Sequence, residues 1–345
     1  MRYEKFLKKK KTFNKPTGFQ INKNDLNKNL FEWQKDIVRW ALRKGRACIW
    51  ADCGMGKTPM QLEWARILSE VKNGPVLILA PLAVSEQTIR EGKKFGIHVE
   101  HLKGQTFGNP GIYITNYEKL HKFDISEFIG IVLDESSILK SYTGKYRNEI
   151  IEDSQYIPFR LACSATPAPN DYTELGNHAS FMGVCTGFEM LSMFFINDAQ
   201  NKQGEKWRLK GHAKEAFFEW VASWAVMISK PSDLGYEDKD FILPELRINH
   251  IVVESESPTD GYLFPMEAKT LQERQSARRI TIEKRAAMAA EIVNSSDEIF
   301  LQWGNLNPEC DEMEKKTNGA IQVSGSDKPE VKEKRLLGFS NNEFN

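Results

Sequence analysis

One stretch near the start of the chain, Ala51-Asp52-Cys53-Gly54-Met55-Gly56-Lys57-Thr58, has the residue types and order needed to hold a polyphosphate. It lies between a run of strand length and a segment with helical spacing, the setting that a phosphate-binding loop requires. Gly54 and Gly56 let the backbone come close to phosphate oxygens, and Met55 between them belongs to the same nucleotide-binding loop. Their N–H groups and the N-terminus of the following helix favour an anion. Lys57 supplies a point charge for the β- and γ-phosphates, and Thr58 a hydroxyl for Mg²⁺. The first position is Ala51, where the strict G-x-x-x-x-G-K-T pattern has glycine.

An acidic pair, Asp134-Glu135, ends another apolar run, 77 residues after Lys57. Carboxylates at the C-terminal end of a strand sit where open α/β sheets bind their ligands. Asp134 is placed to hold Mg²⁺, and Glu135 to orient and deprotonate an attacking water. Ser164-Ala165-Thr166-Pro167 follows a further apolar run. Its hydroxyls can accept and donate beside a γ-phosphate or beside the acidic pair.

The elements that must position these groups alternate. Residues 47–50, 76–80, 113–115, 129–133 and 161–163 are short apolar runs, most without polar alternation, as expected for strands covered on both faces. Residues 30–42, 58–71 and 85–95 carry helical spacing. The rhythm predicts an α/β domain with a parallel sheet. Residues 214–228 read as one buried helix, and the spacing of Trp220 and Trp224 favours core packing over base stacking. From about residue 245 the pattern resumes, with strands expected at 247–253, 299–303 and 320–323 and helices at 268–293, 308–316 and 329–339. The expected organisation is a basic arm over 1–29, a domain over 30–243 with a helical insertion at about 172–243, and a second domain over 244–345.

Composition sets the class. The 345 residues are 41% hydrophobic and 27% charged, which suits a globular chain and excludes a disordered or collagen-like one. The net charge is zero but uneven: residues 1–46 hold 14 Lys/Arg against 4 Asp/Glu. A basic end, including Lys8–Lys11, on an acidic body suggests an anionic partner such as nucleic acid. The five cysteines form no C-x-x-C pair, so neither a disulfide framework nor a zinc pattern is indicated. Cys53 and Cys163 read as small packed residues. The longest apolar run, residues 76–84, contains Pro81 and falls far short of the roughly 20 residues that span a bilayer. No apolar stretch of the secretory-signal kind follows Lys8–Lys11, and cytosol is the expected compartment.

Taken in order, Gln34, the loop ending Gly54-Met55-Gly56-Lys57-Thr58, Asp134-Glu135-Ser136-Ser137 and Ser164-Ala165-Thr166 resemble the motif series of superfamily 2 helicases and translocases. The chain is most similar to DEAD/DEAH-box helicases encoded by phages and prophages, relatives of Snf-type DNA translocases, over nearly its whole length. The resemblance implies a RecA-like P-loop lobe followed by a second RecA-like lobe. It implies ATP and Mg²⁺ as cofactors and DNA as partner, in the cytosol of a bacterium or phage-infected host. Gln34, with Trp33 beside it, matches the adenine-reading motif. Lys57 and Thr58 match the nucleotide lysine and magnesium hydroxyl, and Asp134 and Glu135 the magnesium aspartate and catalytic glutamate. Ser164 and Thr166 match the motif that couples hydrolysis to strand movement. Pro81, Leu82, Thr115 and Asn116 fall in segments that touch nucleic-acid backbone. Ser136-Ser137 departs from the Ala-Asp or Ala-His of the named boxes.

The second lobe, as far as this sequence goes, carries a counterpart of that lobe's first motif at 300–305 but not its later pair of arginines. Arg278-Arg279 precedes that motif and falls on a helical pattern. Slow turnover by this polypeptide alone is therefore expected, because arginines supplied to the phosphates are worth roughly 10³–10⁵ in rate. The functions left standing are a DNA helicase or translocase, an RNA helicase, an ATP- and DNA-binding module with little turnover, and a P-loop kinase. The Ser164-Ala165-Thr166 motif and the basic arm count against the last.

Overall fold

The computed structural model describes residues 15–82, 84–106, 108–140, 145–197, 207–242, 244–254, 270–341 and 343. The Lys8–Lys11 run lies outside the described residues. The chain divides into two compact units, Met1–Leu243 and Pro244–Asn345.

The first unit is built on a seven-stranded sheet. In chain order its strands are β1 (Arg46–Ala51), β2 (Pro75–Ala80), β3 (Glu100–His101), β4 (Gly111–Asn116), β5 (Gly130–Asp134), β6 (Phe159–Ser164) and, after a separate hairpin of β7 (Phe195–Asn197) and β8 (Trp207–Leu209), β9 (Ala225–Ile228). The spatial order is β3-β4-β2-β5-β6-β1-β9, and every ladder is parallel. Parallel neighbours need crossovers, and the segments of helical spacing supply them. They are α1 (Glu32–Lys44), α2 (Lys57–Lys72), α3 (Ser85–Lys94), α4 (Lys145–Asp153), α5 (Leu175–Met182), α6 (Gly187–Phe194) and α7 (Lys214–Ala222).

The apolar strands lack alternation because successive residues serve two cores. Ala47, Ile49, Ile78, Val132 and Leu161 point to the face packed by Trp33, Ile37 and Val38 of α1 and Met60, Trp64 and Leu68 of α2. Cys48, Trp50, Leu77, Leu79, Ile131 and Ala162 point to the other, where α5, α6 and α7 contribute Ala179, Phe181, Met190, Phe217 and Trp220. The period of two in a strand makes this division automatic. Trp220 and Trp224 are 6% and 0% exposed and pack edge to face at 5.3 Å, so they are core residues. Truncating either would cost about 3–5 kcal/mol.

Two expectations from the sequence are corrected. Residues 214–228 are not one helix: α7 ends at Ala222, and Ala225–Ile228 pairs with β1 as β9. A short apolar run cannot be assigned by periodicity alone, and here the open edge of β1 decides it. The strands expected at 247–253, 299–303 and 320–323 are not formed among the described residues of the second unit. A strand exists only with a ladder partner, and Ile251, Val252, Leu301 and Trp303 are instead 56%, 85%, 61% and 86% exposed. That unit's order comes from helices α8 (Leu271–Ile280), α9 (Ile282–Asn294), α10 (Asn307–Lys316) and α11 (Pro329–Ser340). Ala286 and Ala290 of α9 and Met313 of α10 are buried, these two helices pack together, and Arg285 is ion-paired with Glu309. Arg278 and Arg279 lie on the exposed helix α8.

Candidate nucleotide site

Strand order brings the motifs together. Strands β5, β6 and β1 are neighbours, with Asp134 opposite Cys163 and Trp50 opposite Ser164. Their C-terminal ends therefore deliver the acidic pair, the Ser164–Thr166 turn and the glycine loop side by side.

Ala51 is the last residue of β1 and is 1% exposed, so an alanine fits a position with extended backbone. The loop then turns through Gly54 (φ +81°) and Gly56 (φ +69°), conformations that L side chains avoid. A Cβ on Gly56 would also stand 2.5 Å from the Gln34 amide nitrogen, whereas one on Gly54 would meet open space. Gln34 is 3% exposed, and both ends of its side chain are engaged. Its Nε2 donates to Met55 O at 3.2 Å, and its Oε1 accepts from Phe31 N at 3.0 Å. Gln34 thus ties α1 to the loop. Trp33 is also 3% exposed and packs against Phe31 and Phe241. Lys57 opens α2 and curls over the loop, donating to Ala51 O at 2.8 Å and Asp52 O at 3.2 Å. Thr58 follows it in the first turn.

Across from the loop, Asp134 is 8% exposed. Burial pushes its carboxyl above the usual carboxylate range and the charge of Glu135 adds to this, against a hydrogen bond from Gln61 and the charge of Lys57. Gln61 Nε2 donates to Asp134 Oδ1 at 2.8 Å, and Tyr117 OH donates to the Asp134 main-chain oxygen at 2.8 Å. Glu135 takes a left-handed backbone, φ +56°. Two adjacent strand residues would face opposite ways, and this turn is what brings the second carboxylate back to the site. Ser164 Oγ donates to Glu135 Oε1 at 2.7 Å and accepts from Thr166 N at 3.0 Å. The serine thereby joins the turn after β6 to the acid after β5.

Other expected contacts lie elsewhere. Thr115 and Asn116 are 3% exposed, and Asn116 Nδ2 reaches Pro81 O, Leu82 O and Ser85 Oγ at 3.3, 3.2 and 2.8 Å. It braces the ends of β2 and β4. Cys163 is buried as expected, but Cys53 is exposed on the loop. That reading is corrected: Asp52 and Cys53 face outward where the chain leaves β1, and Met55, 3% exposed, is the loop side chain that packs into the core. Gln61, Tyr117, His178 and Asn177 were missed by sequence. Gln61 alone left a signal, being one helical turn after Lys57 and so on the same face of α2.

Among the described residues no cluster of three or more His, Cys, Asp or Glu could hold a metal by itself. The site nonetheless fits Mg²⁺ bound together with a polyphosphate, which takes one or two carboxylates from the protein and the rest from phosphate and water. The burial of Asp134, only partly offset by Gln61 and Lys57, and the open space at Gly54 are the features that fit it. No helix among the described residues is long and apolar enough to cross a membrane.

Residues 27–169, which span α1 to the Ser164–Thr166 turn, match the family model for the Type III restriction enzyme, res subunit. No curated protein matches the chain in sequence. Among solved structures, the Sulfolobus solfataricus SWI2/SNF2 ATPase core in complex with dsDNA aligns at 21% identity and a TM-score of 0.52, covering 64% of this chain and 49% of that one. The UvsW helicase of bacteriophage T4 aligns at 17% identity and a TM-score of 0.40, covering 49% of this chain and 67% of that one. The chain thus spans about half the length of the SWI2/SNF2 core. Its parallel sheet, with helices on both faces and a glycine loop at the end of β1, is the RecA-like P-loop ATPase fold.

Proposed function

We propose that this chain is the ATP-hydrolysing part of a superfamily 2 helicase or translocase that acts on DNA. The observation that carries the reading is the joining of three motif ends on neighbouring strands, with Ser164 hydrogen-bonded to Glu135 beside the Lys57 loop. The loop amides and Lys57 hold the β- and γ-phosphates of ATP, with Lys57 exchanging its carbonyl partners for phosphate oxygens. Thr58 and Asp134 hold Mg²⁺, which when bound neutralises phosphate charge. Glu135 orients a water and takes its proton as the water oxygen attacks the γ-phosphorus. The bond to the ADP oxygen breaks, leaving ADP and phosphate. Ser164 fixes the rotamer of Glu135 and reports its state to the turn at Thr166. Gln34 sets the loop against α1, where adenine would be read.

DNA is preferred to RNA as the partner because the aligned SWI2/SNF2 core is bound to dsDNA and the N-terminal end of this sequence is basic. The Pro244–Asn345 unit is read as part of a second RecA-like lobe, and the compartment as cytosol. ATPase assays of the purified chain with and without duplex DNA test the whole reading. Phosphate release that DNA stimulates and Lys57→Ala abolishes is expected. Hydrolysis indifferent to Lys57→Ala would end it, and stimulation by RNA alone would move it to RNA.

A further inference from the structure

The turn that follows the acidic pair is held from outside the sheet. A left-handed backbone at a residue other than glycine costs about 1–2 kcal/mol and persists only where its surroundings enforce it. Glu135 leads directly into a tight 3-10 turn, Ser136–Lys140. Two consecutive residues of α5 grip both ends of that turn. His178 Nε2 lies 3.1 Å from Ser136 Oγ. Asn177 Nδ2 donates to Leu139 O at 2.7 Å, and its Oδ1 accepts from Arg147 at 3.0 Å. Ser136, Leu139, Asn177 and His178 are all 0% exposed. The imidazole is also set edge-on to Trp50 of β1, with ring centroids 5.6 Å apart. Helix α5 therefore touches the strand that feeds the phosphate loop and clamps the turn that aims the acid.

We propose that His178 is a positioning residue: through Ser136 it holds the left-handed turn that points the Glu135 carboxylate at the nucleotide, with Asn177 securing the other end. This rests on the hydrolytic reading of the site. Buried polar pairs are expensive unless fully matched, and an apolar pair of the same shape would pack here as well. What the polar contact adds is one defined geometry for Ser136 and hence for the residue before it. Burial pushes the imidazole down to about 4, so the contact is a neutral hydrogen bond near pH 7. A displacement of about 1 Å at a reacting group can cost on the order of 10²-fold in rate without weakening binding. The signature of His178 is therefore in kcat.

The test uses the full chain with His178→Phe, His178→Gln, Ser136→Ala and the His178→Phe/Ser136→Ala double variant. DNA-stimulated MgATP hydrolysis is measured, and affinity for a fluorescent ATP analogue separately. Phenylalanine keeps a ring against Trp50 but removes the hydrogen bond, and glutamine returns a nitrogen near the Nε2 position. His178→Phe should lower kcat by about ten- to a hundredfold with affinity unchanged. Glutamine should recover most of the loss, and the double variant should be no worse than the poorer single one. Full kcat in His178→Phe, a rise in KM alone, no recovery with glutamine, or additive losses would each overturn the assignment. If circular dichroism shows that His178→Phe does not fold, Ser136→Ala decides alone by the same kcat criterion. A wild-type chain without Lys57-dependent hydrolysis would sink the hydrolytic reading itself, and this inference with it.

Discussion

Gln61 Nε2 stands 2.8 Å from Asp134 Oδ1, so the helix that starts at Lys57 is tied by a side chain to the end of β5. Both residues are buried, and the bond is one of the forces opposing the upward shift of the Asp134 carboxyl. Removing it leaves a buried carboxylate short of a donor. A hydrogen bond to a charged group contributes about 1.5–3 kcal/mol, and Gln61→Leu should lose that order of stability. The midpoint of denaturant unfolding at neutral pH measures it. The same variant should need more Mg²⁺ for half-maximal hydrolysis, because the carboxylate loses the donor that fixes its Oδ1.

Asp134 itself should be a stability liability. Its carboxyl titrates above the unfolded value because of burial first and the Glu135 charge next. For a group shifted upward, the stabilising contribution is complete below the unfolded value, near pH 4, and is lost as pH rises through the folded one. At pH 7 the native state therefore holds this charge at a cost. Asp134→Asn should melt higher than wild type at pH 7, with the gain shrinking as pH falls toward 4. Hydrolysis should drop by about 10²–10³-fold, the usual effect of losing one electrostatic stabiliser of developing charge. Paired melting curves at the two pH values, with ATPase rates, check both halves. A variant less stable than wild type at pH 7 would contradict the argument.

The sequence made the sheet legible because strands buried on both faces leave continuous apolar runs: residues 47–50 and 76–80 fall within β1 and β2, and 129–133 overlaps β5 from residue 130 onward. The proximity of the motif residues was legible for a related reason: each follows an apolar run, and the runs before the loop, the acidic pair and the Ser164 turn became the neighbouring strands β1, β5 and β6. What did not show was the support. Asn177 and His178 act through contacts with residues 38 and 42 positions earlier, and no local pattern encodes that. Ala225–Ile228 is as apolar as a helix face, and only the free edge of β1 makes it a strand. The runs at 247–253 and 299–303 have strand composition without a partner, so their pattern overstated their structure.

Ser164 accepts from Thr166 N and donates to Glu135, and no other hydroxyl among the described residues bridges these two motifs. Ser164→Ala should leave nucleotide affinity within about twofold while hydrolysis falls by tenfold or more, since what is lost is the orientation of Glu135 and its tie to the turn at Thr166, not a contact of the phosphate loop. Stimulation by DNA should weaken further than the basal rate if the turn at Thr166 carries the signal. Titration of an ATP analogue alongside basal and DNA-stimulated rates separates the three effects. Equal weakening of binding and turnover would show that Ser164 only supports the loop.

The C-terminal segment of the first unit is latched onto α1. The Tyr236 hydroxyl donates to Asp36 Oδ2, Lys23 Nζ lies 2.9 Å from Asp36 Oδ1, and Phe241 packs edge-on to Phe31 and Trp33 at 5.0 and 5.4 Å. Burial works to raise Asp36, but the Tyr236 hydroxyl and Lys23 override it and hold the carboxyl below its usual value. For a depressed carboxyl, the stabilisation is present above the unfolded value and is lost as pH falls through the folded one. Asp36 is 40% exposed, so solvent screening limits the charge contribution to about 1 kcal/mol or less. Tyr236→Phe should therefore lower the unfolding free energy modestly at pH 7, and the difference from wild type should narrow below about pH 4. Phe241→Ala should be the costlier change, since it uncovers Trp33, the neighbour of the glutamine that holds the phosphate loop at Met55. Hydrogen exchange at the amides of residues 52–58 reads that connection: faster exchange in Phe241→Ala than in Tyr236→Phe is expected, and no change at the loop in either variant would limit the latch to local packing.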